Sequence, residues 1–277
     1  LNFPSNWNKI LADIGHYSFN EQRLLPKIIK DVSPDITHFL HFNVPVTFRG
    51  KFVVTIHDLL MHKQKGLEAT TLSPIKYFVK RLGYKGVFAF AVRQSQMIIA
   101  PSNAVKDEIV DYYKIGGNKI AVTHEGVDVL PVIGDTKRIL EKFGISSPYF
   151  IYTGNAYPHK NLKRAVEATV KLNKERKEPV LFVVTCARST FTQKLEKLAD
   201  EMGATKYIKL LGFVPDHELG ILYKNSLGFL FPSLSEGFGL PGLEAILSGT
   251  LTLASNIPVF KETYGDSVFY FDPLSSS

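Results

Sequence analysis

A chain of 277 residues that is 45% apolar and 12% aromatic can bury one large core or two modest ones, and two is the better expectation at this length, which excludes a disordered chain. Its single cysteine, Cys186, cannot close an intramolecular disulfide, so a reducing, cytoplasmic setting is expected, with the apolar context LFVVTCA favouring a buried thiol. No run approaches the roughly 20 apolar residues of a membrane helix, and LNFPSNWNK at the start lacks the layout of a signal peptide.

In the first half, short β-rich runs alternate with longer helical patterns. ITHFL from Ile36, FVVTI from Phe52, QMIIA from Gln96 and KIAVT from Lys119 read as strands. Helices are expected over Pro74 to Gln94 and Asn103 to Tyr113, with the Ser102 hydroxyl capping the second. The formal charge of +7 also concentrates here, with 16 Lys and Arg against 11 Asp and Glu in residues 1–130. Residues 62–93 hold Lys63, Lys65, Lys76, Lys80, Arg81, Lys85 and Arg93 against Glu68 alone, interleaved with Tyr77, Phe78, Tyr84 and Phe88. Such a stretch is either a solvated helix packing its apolar side on its own domain or a basic amphipathic surface for anionic lipid headgroups. No recognition helix, zinc finger or RNA-binding sheet motif accompanies it, so nucleic acid is not an expected partner.

The pattern restarts after residue 145. Strands are read in YFIYTG from Tyr149, VLFVVT from Val180, YIKLLGFV from Tyr207, LGFLFPS from Leu227 and LTLAS from Leu251. Between them helices are expected at Leu162 to Glu175, Gln193 to Met202, Glu218 to Tyr223 and Pro241 to Ser248. Alternation of this kind predicts α/β architecture, as two doubly wound Rossmann-like domains over 1–127 and 128–277 facing a cleft. The join falls in EGVDVLPVIGD, residues 125–135, where glycine, proline and acidic residues interrupt both periods. In open α/β sheets ligands bind beyond the carboxyl ends of strands, so chemistry is sought in the residues that follow each strand.

The densest such signal is SEGFGLPGLEAILSG, residues 235–249, where Glu236 and Glu244 stand eight apart across GFGLPGL. Gly237, Gly239 and Gly242 let the backbone come close to a ligand, and the helix opening at Pro241 points free N–H groups at an anion. Ionised carboxylates beside a phosphate site suit sugar hydroxyls, which donate strong hydrogen bonds to them. A nucleotide sugar carries both groups. TGNAYPHKNLKRAVEA from Thr153 and VVTIHDLLMH from Val53 also follow strands directly.

These segments resemble glycosyltransferase family 4, of the two-domain GT-B fold. The S-x-E-G-F-G-L-P-x-L-E-A run with its E-x7-E spacing, SNIPVFKE from Ser255 to Glu262, and EGVD at Glu125 are all similar to family motifs. The resemblance implies that Glu236 holds donor-sugar hydroxyls, that Gly237, Phe238, Gly239 and Leu240 offer backbone N–H groups, and that Glu244 binds ribose. Gly154 to Lys160 is similar to the family's G-x-x-x-P-R-K-N turn, implying Lys160 as the diphosphate ligand beside Gly154, Asn155 and His159. His159 stands where arginine is usual and Asn155 where relatives often have another, so neutralisation falls to Lys160 and helix N–H groups, with His159 protonated when donor binds. Phe213 and Val214 of GFV resemble the turn that packs on the nucleobase, and His57 the histidine that contacts the donor sugar from the first domain.

The implied enzyme is a retaining hexosyltransferase that moves a sugar, with mannose preferred, from a nucleoside diphosphate to a saccharide or lipid-linked acceptor. Residues 62–93 would place it on the inner face of the membrane. His38, His41, His57 and His62 lack metal-site spacing, and no D-x-D pair occurs, so neither a metal nor another cofactor is expected. No second carboxylate of the glycosidase kind, about 5 Å from the first, is identifiable, which favours same-face attack with the leaving phosphate taking the proton. Measured against the family, an opening strand with its glycine-rich loop and the final helices are expected to be missing. The alternatives are a non-catalytic nucleotide-sugar-binding fragment and a sugar-nucleotide epimerase of the same fold.

Overall fold

The computed structural model describes residues 4–63 and 73–275, so Lys65 and Glu68 of the basic stretch lie outside the described residues. The chain forms two compact units, one of Leu1–His57, Ser73–Ala100 and Lys106–Val122, the other of Asp58–Leu72, Pro101–Val105 and Thr123–Ser277. Each holds one parallel sheet, the α/β arrangement expected from the alternating pattern.

In the first unit, α1 (Phe19–Val32) leads into β1 (Thr37–Phe39) and β2 (Phe52–Thr55). The single turn α2 (Leu60–Lys63) groups with the second unit. Then follow α3 (Pro74–Gln94), β3 (Met97–Ala100), α4 (Asn103–Tyr113, in this unit from Lys106 on and in the second up to Val105) and β4 (Ile120–Val122). The four strands pair in the order β1-β2-β3-β4. Val54 of β2, Ile56 just after it, Ile98 of β3 and Phe88, Ala91 and Val92 of α3 are all fully buried and form the core. Both α3 and α4 keep the bounds read from the sequence, and Ser102 accepts the Val105 N–H at 3.2 Å as the predicted cap.

Helix α3 divides along its length. Its last turns pack inward, whereas Ile75, Phe78, Val79 and Leu82 of its first turns are 80%, 69%, 65% and 66% exposed. Packing against the helix's own domain therefore holds only for the carboxyl half. Lys63, counted in the same basic stretch, instead reaches Ser235 within the second unit at 3.3 Å.

The second unit continues with α5 (Thr136–Lys142), β5 (Tyr149–Thr153), α6 (Leu162–Lys174), β6 (Leu181–Thr185), α7 (Thr190–Glu201) and β7 (Ile208–Gly212). It ends with α8 (Asp216–Lys224), β8 (Gly228–Phe231), α9 (Leu240–Leu247), β9 (Thr252–Ser255), α10 (Pro258–Tyr264) and β10 (Phe269–Phe271). The sheet order is β10-β9-β8-β5-β6-β7. All five residues of β6 are buried, as a strand covered on both faces requires. β5 pairs with β6 on one side and β8 on the other, so the chain reverses direction across the sheet between them. That switch point opens a crevice above the carboxyl ends of β5 and β8.

Candidate functional site

The loops after β5 and β8 are the two motif-bearing segments, and the switch point brings them together. Lys160 Nζ donates to Glu236 Oε1 at 2.6 Å, with the two side chains only 12% and 10% exposed. Lys160 also lies 5.7 Å from the centre of the Phe231 ring at the end of β8. The main chains are stitched as well, since the Leu234 N–H donates to the His159 carbonyl at 2.8 Å. Asn161, left-handed at φ 57, donates from Nδ2 to the carbonyls of Pro232 at 3.0 Å and Pro273 at 2.8 Å. It fixes the short 3-10 turn Pro158–Lys160 to the strand end on which Glu236 depends.

Each glycine turn has a steric reason. Gly154 sits at φ +138 with its N–H on the Thr185 carbonyl, and a Cβ there would meet the Tyr152 hydroxyl at 2.9 Å. That hydroxyl donates to the Asn155 carbonyl at 2.7 Å, so the backbone of Asn155 is held from beneath. Gly239 is the N-cap of α9 at φ +98, so the helix begins at Leu240, one residue earlier than the start read from the sequence. A Cβ on Gly239 or Gly242 would fall 2.2 or 2.3 Å from the Tyr264 hydroxyl, so both must be glycine for this packing. At the start of α9 Pro241 has no N–H and Gly242 donates its own to the Gly239 carbonyl at 3.0 Å, which leaves the Leu240 N–H, with the helix dipole, to favour an anion at Gly239 to Leu240.

Titration follows burial. Burial first, and Asp216 second, push Glu244 above the ordinary carboxylate value. Burial, with Lys160 next, pulls His159 down to about 4, so with these neighbours it is neutral near pH 7 and Lys160 is the cation of the turn. Val214 is buried at 6% exposure while Phe213 stands 80% exposed after β7, an open ring of the kind a nucleobase could cover. His57 lies in the first unit, exposed at the end of β2, with Nε2 3.1 Å from the Leu40 carbonyl. No group of three or more His, Cys, Asp or Glu side chains with metal-site geometry occurs among the described residues.

Residues 135–276 match the family model of glycosyl transferases group 1, and residues 4–129 match that of glycosyltransferase family 4. The chain belongs to the group 1 glycosyl transferases. It is 25% identical over 242 residues to the O-antigen chain mannosyltransferase RfbU of Salmonella typhimurium, covering 86% of this chain and 65% of that protein. It is 26% identical over 249 residues to the O-antigen chain mannosyltransferase B of Escherichia coli, covering 88% and 63%. It therefore spans somewhat less than two thirds of those relatives. Two crystal structures share the fold: a glycosyltransferase from Rickettsia africae (TM-score 0.67, 21% identity, 96% of this chain and 71% of that one) and Anabaena Alr3699/HepE in complex with UDP and glucose (TM-score 0.71, 17% identity, 94% and 71%).

Several residues of this group 1 glycosyl transferase that shape the site escape the motif reading. Within the second unit, Ser102 donates to the Gly237 carbonyl at 2.9 Å in addition to capping α4. Glu262 accepts the backbone N–H groups of Asn103 at 2.6 Å and Ala104 at 2.9 Å, together with Asn103 Nδ2 at 2.9 Å, and His124 stands 3.5 Å away. Burial is the largest influence on Glu262 and pushes its carboxyl up, but these donors together hold it below the ordinary value. His124 also packs on Phe238 of the glycine turn, ring centres 5.6 Å apart. The only sequence hint was the resemblance of SNIPVFKE to a family segment, which carries no statement of what Glu262 touches.

Proposed function

We propose that this protein transfers a hexose, mannose in preference, from a nucleoside diphosphate to a saccharide or lipid-linked acceptor, with retention of configuration. The observation that carries the reading is the Lys160–Glu236 pair, a cation and a carboxylate 2.6 Å apart at the switch point beside the start of α9. A nucleoside diphosphate sugar meets both groups, its phosphates taking Lys160 and the Leu240 N–H at the start of α9 and its hydroxyls taking Glu236. Glu244 and Phe213 then serve the ribose and base. The mannosyltransferase names of the two O-antigen relatives favour mannose, and hence GDP-mannose, as donor.

In the reaction the acceptor oxygen bonds to the anomeric carbon as the bond from that carbon to the phosphate oxygen breaks. The acceptor proton passes to the departing phosphate on the same face. Lys160, the Leu240 N–H and the α9 dipole stabilise the charge that develops on the leaving group. Fixed charges and dipoles of this kind supply most of the rate enhancement at such a site, so we assign that role to them rather than to a metal ion. His57 is assigned to the donor sugar. The test is release of GDP or UDP from the corresponding mannose or glucose donor in the presence of oligosaccharide acceptor. Release abolished by Glu236→Ala and Lys160→Ala supports the assignment, and release at the wild-type level in both variants overturns it. Acceptor-free conversion of the donor would mark an epimerase, and donor binding without turnover a binding module.

A second element of the reading is an anionic membrane surface, on the cytoplasmic side, as the place of action. Ile75, Phe78, Val79 and Leu82 form an exposed stripe at helical spacing, with Lys76, Lys80, Arg81 and Lys85 in the same turns and no Asp or Glu anywhere in α3. Sedimentation with phosphatidylglycerol vesicles, lost in Phe78→Glu/Leu82→Glu and absent with phosphatidylcholine, is the expected result.

A further inference from the structure

The structure joins the cation and the glycine turn through a column of buried rings. Phe231, below Lys160, stacks on Phe260 with centres 4.7 Å apart, and Phe260 stacks on Tyr264 at 5.0 Å. At the end of the column Tyr264, only 3% exposed, donates its hydroxyl hydrogen to the Gly239 carbonyl at 2.5 Å. The same carbonyl accepts the Gly242 N–H at 3.0 Å. A trans peptide is planar, with C=O and N–H on opposite edges. With the Gly239 oxygen held toward Tyr264, the N–H of the next residue, Leu240, must point the other way, outward from the aromatic column. Glycine at φ +98 resists rotation of that peptide less than any other residue, so the turn needs an external latch. Burial, and after it the charge of Glu236, raise the Tyr264 phenol far above its usual value, so it remains a donor across the working pH range.

We propose that Tyr264 is a positioning residue for the donor diphosphate, fixing the Gly239 carbonyl so that the Leu240 N–H is aimed at a phosphate oxygen. The inference rests on the nucleotide-sugar reading of the site and adds to it a residue that touches no substrate. Ser102 holds the Gly237 carbonyl in the same manner two residues upstream, so both alternate peptides of the turn are pinned through their oxygens.

Tyr264→Phe keeps the ring, and with it the stack, and removes only the hydroxyl. The experiment is calorimetric titration of the wild-type and variant proteins with guanosine, GMP and GDP, and with the uridine series in parallel. The expected result is a GDP-to-guanosine affinity ratio about tenfold lower in the variant, the scale of one hydrogen bond to a charged group, with guanosine itself unchanged. Tyr270→Phe removes a hydroxyl whose one proton is shared between the carbonyls of Phe260 in the same helix and Gly265 at its C-cap, and serves as the control for a merely structural loss. It should lower the melting temperature and leave the ratio intact. A Tyr264→Phe protein whose ratio matches the wild type, or that weakens for all three ligands equally, overturns the inference alone. A wild-type protein that binds no nucleoside diphosphate overturns the donor-site reading with it.

Discussion

Lys160 and Glu236 form a pair whose removal one partner at a time should differ sharply from removal of both. With side chains 12% and 10% exposed and a 2.6 Å separation, each charge has lost most of its water and depends on the other. Breaking a buried pair by deleting one partner costs about 3–5 kcal/mol, which we reduce to about 2–4 because a tenth of each side chain still reaches solvent. At about 2–4 °C per kcal/mol for a protein of this size, Lys160→Met or Glu236→Met should melt about 4–16 °C lower. The double variant Lys160→Met/Glu236→Met leaves no orphan charge, and methionine can lie against Phe231, so it should recover most of that loss while binding no nucleoside diphosphate. Thermal melts of the four proteins, with and without GDP, close the cycle. Single variants that melt within about 2 °C of wild type, or a double variant as unstable as the sum of the singles, would show that the two charges do not depend on each other.

Three further outcomes follow from the same unit. Gly242→Ala puts a methyl 2.3 Å from the Tyr264 hydroxyl and 2.5 Å from its ring carbon, and should cost about 1–3 kcal/mol and GDP binding, whereas Gly249→Ala, at φ +73 with open space around it, should cost about 1–2 kcal/mol and leave binding intact; melts and titrations of both variants check this. Glu262, held below the ordinary carboxylate value, contributes stability that is complete above the unfolded value of about 4.3 and is lost as pH falls through its lower folded value, so Glu262→Gln should flatten the melting temperature against pH on the acid side. His159, pulled down to about 4, binds its proton more weakly folded than unfolded, so its contribution fades as pH drops from about 6.5 towards that value. If diphosphate then protonates it, GDP binding at pH 6 should take up protons, seen as a binding heat that varies with the buffer's ionisation heat, and His159→Gln should abolish the variation.

What could be read from the sequence was whatever acts over a few residues. Strands β5, β6 and β8 declare themselves as short apolar runs, and the glycines at 154 and 239 mark turns, and that at 242 the first turn of α9, whose cramped surroundings the structure then supplies. Local signals failed where a helix was short or interrupted. α1 carries Pro26 inside it, and α5 and α10 are seven residues each, too brief for the helical period to show. α7 starts earlier than read because Ser189 and Thr192 form a capping box ahead of the apolar pattern. The supports of the site are illegible for another reason. Tyr264 acts on a carbonyl 25 residues away, Asn161 on one 112 away and Glu262 on an amide 159 away, and each meets a backbone atom, which has the same chemistry at every residue. A side chain that recognises a peptide group leaves no complementary letter in the sequence.

The pairing of Lys160 also bears on selectivity. An anion that approaches this lysine must draw it from Glu236, and so leaves a carboxylate with 10% exposure short of its partner, a loss about the size of the pair's own contribution. Inorganic pyrophosphate brings charge for Lys160 and the Leu240 N–H but nothing for Glu236. A nucleoside diphosphate sugar brings hydroxyl donors to the carboxylate at the same moment, so on the proposed function the exchange is nearly balanced and the remaining contacts appear as affinity. The expected order in competition titrations is GDP-mannose tighter than GDP, and GDP far tighter than pyrophosphate. Substituting Glu236→Met should narrow the first gap, because the partner that rewarded the sugar is gone. If GDP-mannose and GDP bind alike in the wild type and both weaken alike in the variant, Glu236 serves only to hold Lys160 and the sugar lies elsewhere.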